Sequence, residues 1–228
     1  MRTRKTLGRR LAVAAVALAV LAACGGQPRM SSARAASASY DASVPSESLR
    51  DWVTYADAVV VGTVERTWAL PISQEEREAG EGYIARRVRV RIDDIVWRRH
   101  TGTPTPPAEV TFVTFGWTFD GDRRDPSSGG PIWLQPGKRY VIPLARWKRD
   151  GWAPFSAIAT LQLGDRGRIA PPDGDDAMPW ETRFSGRSTQ EAAEILAAIE
   201  PDPSAPTDPR LDPEERAAGV LEAEADGR

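Results

Sequence analysis

The chain has 228 residues, 41% of them hydrophobic, a net charge of −2, one cysteine and one histidine. Those counts exclude a disulfide scaffold and the several His and Cys ligands that zinc draws on. The absence of a basic excess argues against a nucleic-acid partner, and one domain of roughly 150 residues with flexible ends fits the length.

Residues 1–23 read as an export leader. Five basic residues (Arg2, Arg4, Lys5, Arg9, Arg10) precede an apolar run from Leu11 to Ala23, the order of a secretory signal. Thirteen apolar residues are too few to span a bilayer, which takes roughly 20 in a helix. Leu21-Ala22-Ala23-Cys24 resembles a bacterial lipoprotein lipobox. The resemblance implies that Cys24 is acylated and becomes the first residue of a mature protein anchored to the outer face of the cell membrane. Two acyl chains hold stably where one binds reversibly, at about 0.8 kcal/mol per buried CH₂. A lipidated Cys24 leaves no thiol for a disulfide or a nucleophile. Arg9-Arg10 leaves a twin-arginine export route open.

The five basic residues of the leader leave −7 for the mature chain, of which residues 200–228 carry −6 from nine acidic and three basic side chains. Residues 24–46 are rich in Ser and Ala with almost no large apolar side chains, a flexible tether. Residues 47–199 are expected to form one domain.

Within it, Ser48 with Asp51 matches a capping box, and Leu49, Trp52, Val53 and Ala56 share one helical face; Trp52 reads as core. Asp57 to Val64 is a buried strand in which Gly62 suggests a bulge. Arg66 to Gly82, with Glu75, Glu76, Glu78 and Glu81, reads as a long polar loop or frayed helix. Tyr83 to Trp97 is the clearest strand: Val88, Val90 and Ile92 alternate with Arg87, Arg89 and Arg91, which puts guanidinium groups outward. A proline-fixed loop, His100 to Ala108, leads to the strand Glu109 to Phe119. Asp120 to Pro131 is a turn-rich loop. Ile132 to Leu134 and Arg139 to Leu144 suggest a hairpin, with Pro143 marking an edge or bulge. Ala153 to Leu163 and Arg168 to Ala170 complete the strands. Pro171 to Gly186 is irregular, and Ser188 with Glu191 opens a last helix. Residues 200–228, with their prolines and acids, read as a disordered acidic tail carrying a nascent helix near Glu214 to Glu224.

These elements suggest a mainly β fold: a small closed or partly open antiparallel barrel, with one short helix before the first strand and another after the last. At Ala56 to Val64, Val88 to Ile92 and Pro136 to Val141, the chain resembles exported bacterial lipoprotein domains whose barrels are similar to the OB-like netrin and tissue-inhibitor module. The resemblance covers Leu49 to Ala170 and implies the fold. The netrin cysteines are missing and the Arg66 to Gly82 insertion is long, so inhibitor activity carries over to no residue. Arginine used over lysine and an alanine bias resemble a GC-rich, actinobacterial composition.

Residue types for catalysis are sparse. A triad needs a histidine held by a carboxylate beside a nucleophile, and the single His100 stands in a loop. Asp120, Asp122 and Asp125, and Asp173, Asp175 and Asp176, are oxygen-rich clusters of the kind calcium favours, but Arg123 and Arg124 oppose a cation at the first. No catalytic residue, cofactor or metal is expected. The candidate binding surface is Trp117, Trp133, Trp147 and Trp152, flat rings suited to sugar faces, with Arg87, Arg89 and Arg91 as a strip for an anionic wall polymer or lipid headgroup. The expected function is a lipid-anchored, extracytoplasmic binding domain of the cell envelope, monomeric and without nucleic-acid partners. The alternatives are a carboxylate-dependent wall-glycan hydrolase or a structural envelope protein.

Overall fold

The computed structural model describes residues 44–100, 102–126, 132–149, 151–156, 158–172 and 177–226. The leader, residues 24–43 with Cys24, and the Asp173 to Asp176 cluster lie outside the described residues. Val44 and Ser46, expected in the tether, are instead buried on the domain, where the Ser156 hydroxyl donates to that of Ser46 at 2.9 Å.

Helix α1 (Leu49–Tyr55) starts at the expected box: the Ser48 hydroxyl accepts from the Asp51 N–H, and the Asp51 carboxylate accepts from the Ser48 N–H. Its face of Leu49, Trp52 and Val53 is buried. Strand β1 (Ala58–Ala69) follows at once and is buried continuously through Gly62, as a strand covered on both sides must be. It sits centrally between β2 (Glu81–Arg98) and β5 (Arg139–Trp147). Beyond β2 come β3 (Glu109–Asp120) and β4 (Arg123–Pro126); beyond β5 come β6 (Gly151–Pro154) and β7 (Leu161–Leu163). All pairings are antiparallel.

The sheet curls until β3 lies alongside β6, with no hydrogen-bonded ladder between them. Between them lies a gap of about 10 Å³ lined by Phe112, Leu134, Pro154 and Thr160, room for roughly one water. The fold is therefore a partly open barrel whose interior is filled by its own side chains. Its bends come from register slips in β1 at Val59/Val60, Val61/Gly62 and Val64/Arg66. A second bend lies where β2 slips between Ile84 and Arg86 against Gly116. A Cβ on Gly116 would stand 1.9 Å from the Ile84 carbonyl oxygen, so only glycine lets the strands meet there.

Several elements differ from expectation. Of the loop or helix expected after Arg66, the structure has the helix, α2 (Gln74–Ala79), capped by Ser73 and Glu76; the difference is that β1 first runs on to Ala69. Glu76 is buried because its carboxylate also accepts the Tyr83 N–H. The loop after Asp120 is partly strand, since β4 folds back on β3 across Gly121. Ile132 to Leu134 forms no strand. Its backbone is engaged by side chains instead: Arg86 Nη1 donates to the Leu134 carbonyl, and the Tyr140 hydroxyl to that of Trp133. Ala153 to Leu163 is two short strands rather than one, and Arg168 to Ala170 makes only isolated bridges. Pro143 lies inside β5, not at an edge. Its carbonyl accepts from Phe155 N–H, on the side where β6 has ended and β7 has not begun, so its missing N–H breaks no ladder.

Helices α3 (Pro179–Phe184) and α4 (Thr189–Ala197) close one side of the core. Trp52 of α1 meets Trp180 and Phe184 of α3 at 5.2 and 5.5 Å between ring centroids, and Phe155 at 6.5 Å. Residues 200–226 return to the domain and end in α5 (Pro213–Ala225), capped by Asp212 and Glu215. Asp202 N–H donates to Thr54 Oγ1 at 2.9 Å, and Lys148 pairs with Glu215. The expected tail thus packs on the fold. Its buried apolar side chains are small (Ala217, Val220, Ala223) and its deepest contact is ionic, which no hydrophobic pattern reveals.

Candidate functional site

The outer face of β1 and β2 is built by strand alternation. Val88 and Val90 are fully buried, so Arg87, Arg89 and Arg91 point out, as the sequence predicts. Register then sets their neighbours. Arg87 lies opposite Trp68, Arg89 opposite Arg66, and Arg91 opposite Thr63, which on its other side faces Arg139 of β5. The face therefore carries five guanidinium groups, two of which, Arg66 and Arg139, the sequence pattern left unassigned. Only the pairing of β1 with both neighbours brings those two in.

Two carboxylates are threaded among them. Arg89 Nε is 3.2 Å from Glu109. Asp93 takes the Thr63 hydroxyl at 2.6 Å, Arg91 at 2.9 Å and Arg139 at 3.5 Å. Among the described residues Arg66 and Arg87 have no ion-pair partner; the Arg66 guanidinium rests on the Trp68 ring, 4.6 Å from its centroid. Glu65, the extra residue of the Val64/Arg66 slip, adds one exposed acid beside Arg66. At the β5 end, the turn Pro136 to Arg139 and the turn Leu163 to Asp165 flank an open cleft of about 360 Å³. Reciprocal backbone bonds, Gly137 N–H to Val64 O at 2.8 Å and Val64 N–H to Lys138 O at 3.0 Å, tie that turn to β1. Lys138 and Arg139 line the cleft on one side and Asp165 on the other.

The four tryptophans do not form one platform. Trp117 and Trp133 meet edge to face at 5.3 Å. The face of Trp133 is covered by Arg86, whose guanidinium carbon is 3.8 Å from the ring centroid. Arg86 is buried, donates to Phe115 O at 3.1 Å and Leu134 O at 2.9 Å, and is pushed down to about 10 by burial. It staples the 132–134 segment to β2. Trp147 is buried and Trp152 is half-buried against the core.

The second charged cluster is internal and was not signalled by any motif. Asp57 is buried; its Oδ1 accepts from Arg216 Nη1 at 2.8 Å and Arg99 Nη2 at 3.1 Å, and its Oδ2 from the Arg146 N–H at 2.8 Å. Arg216, wholly buried, also donates to the Tyr55 carbonyl. Burial, and then the neighbouring Arg216, push Arg99 down to about 10. The cluster joins α1, β2, β5 and α5, so it is structural. His100 stands beside it and is held below its ordinary value by burial and then by Arg99; its Nδ1 accepts the Gly102 N–H at 3.1 Å. A histidine surrounded by cations and spent on its own loop is a poor general base. In the β3–β4 hairpin, Asp125 of β4 pairs with Arg123 at 2.6 Å, and Asp120, Asp122 and Asp125 are all exposed.

Among the described residues no group of three or more His, Cys, Asp and Glu is placed to hold a metal, and no helix is long and apolar enough to cross a membrane. No protein-family model matches the chain, and no curated protein matches it either.

Proposed function

We propose that the mature chain is a non-catalytic binding domain of the bacterial cell envelope. It is anchored outside the cell membrane by a lipid on Cys24 and holds an anionic partner on the outer face of β1 and β2. The observation that carries the reading is the direct opposition of Arg66 and Arg89. Like charges directly opposite on a sheet destabilise it by up to about 1 kcal/mol, a cost set against Glu109 beside Arg89 and the Trp68 ring under Arg66. An anion lying across both guanidinium groups reverses the sign of that term. The export leader and lipobox of the sequence supply the compartment in this reading. The domain works as a monomer without a cofactor.

The test is sedimentation of the mature chain carrying Cys24→Ser, which removes the acyl anchor, with isolated cell envelopes. With its arginines intact this chain is expected to pellet at low salt and to be released as salt rises. Arg66→Thr/Arg87→Thr, two exposed changes with no ion pair lost, is expected to stay largely in the supernatant. Equal pelleting of both proteins overturns the assignment of this face.

A further inference from the structure

Resting on that reading of the arginine face, we infer that the partner is a linear phosphodiester polymer with three carbons between successive phosphates, a poly(polyol phosphate), running along β2. Residues two apart on a strand are about 7 Å apart, so Arg87, Arg89 and Arg91 present charge at that interval on one side. Two residues of polypeptide contain six backbone bonds and span about 7 Å extended. A phosphate joined to the next through O–C–C–C–O also repeats every six backbone bonds. The two chains therefore share a period, and each guanidinium meets one phosphate. Inorganic polyphosphate, repeating every two bonds, crowds several charges against each arginine.

Neighbouring strands add a second donor at two of the three positions. Arg66 stands opposite Arg89, about 5 Å across the ladder, and Arg139 reaches the Arg91 position from β5, where Asp93 already gathers both. Guanidinium forks suit phosphate oxygens, and Arg66 and Arg87, exposed and without an ion-pair partner among the described residues, are open to them. At the end of the row the cleft beside Lys138 gives the chain room to continue. A bilayer fits less well, because the charges form a line on an outward-curving barrel face and a plane touches only part of it. Single-stranded nucleic acid shares the six-bond repeat, but it binds through a series of stacking rings. Trp68 is the tryptophan that strand register places on this face, and Arg66 already covers it.

Mature protein carrying Cys24→Ser, and so without an acyl anchor, is titrated with synthetic oligo(glycerol phosphate), polyphosphate of matched charge, oligothymidylate of matched length and phosphatidylglycerol vesicles. Oligo(glycerol phosphate) is expected to bind tightest, with Arg87→Thr/Arg91→Thr weakening it by about tenfold. The slope of log K against log salt is expected to fall by about 0.7 for each arginine removed. Unfolding curves confirm that the variant is folded. Polyphosphate binding as tightly, through the same arginines, overturns the spacing argument and leaves an anionic partner standing. Preference for vesicles or for oligothymidylate replaces the polymer with a lipid surface or a nucleic acid. Undiminished binding by the variant removes the face, and no binding to any of the four brings down the polymer and the anionic-partner reading together.

Discussion

Arg216→Ala is expected to lower the unfolding free energy by about 3–5 kcal/mol, a large share of a total that lies at about 5–15 kcal/mol for a domain of this kind. The substitution removes one of two cations from a carboxylate that is 2% exposed. It leaves Asp57 with Arg99 and the Arg146 N–H, and it takes from the Tyr55 carbonyl its guanidinium donor. It also undocks α5, whose remaining buried side chains are small. A fall of the urea midpoint with little change in slope is the expected record. Asp57→Asn/Arg99→Met/Arg216→Met, which removes all three charges of the cluster, is expected to recover much of the loss. An Arg216→Ala protein as stable as wild type means that α5 is not seated on Asp57.

Trp52→Ala is expected to cost a similar amount, about 3–5 kcal/mol, because the neighbours of a deleted core ring relax only in part. Trp52 is wholly buried and joins α1 to α3 and to Phe155 through three ring contacts. Such aromatic contacts add about 0.5–1.5 kcal/mol each beyond area. Trp180 and Phe184 lose their common partner in the variant, so α3 is expected to loosen first. Faster proteolysis near Pro179 to Phe184, alongside the lower urea midpoint, checks this. Stability within about 0.5 kcal/mol of wild type, the range of ordinary surface changes, contradicts the placing of Trp52 at the centre of the core.

What was legible in the sequence was whatever rests on a local period or a local box. Ser48–Asp51 and Ser188–Glu191 both start helices, Val88 and Val90 both point inward, and Gly62 sits where register slips. What was hidden depends on distant partners. Glu76 reads as one of a polar cluster until the Tyr83 N–H arrives to bury it. Ile132 to Leu134 reads as a strand until Arg86 and Tyr140 occupy its carbonyls. Arg216 reads as an ordinary charge in an acidic tail, since its carboxylate lies 159 residues away. The binding face was half legible for the same reason. Arg87, Arg89 and Arg91 follow from alternation, but Arg66 and Arg139 join them only through the antiparallel pairing of β1 with β2 and β5.

The most direct test of the arginine face is residue-resolved labelling of arginines by phenylglyoxal, on the mature chain carrying Cys24→Ser, alone and bound to isolated envelopes. Arg66, Arg87 and Arg91 are expected to react freely in solution and to be protected when bound, while the exposed Arg124 and Arg149 react alike in both. Protection of Arg124 or Arg149 with Arg66 and Arg87 left reactive would contradict the account.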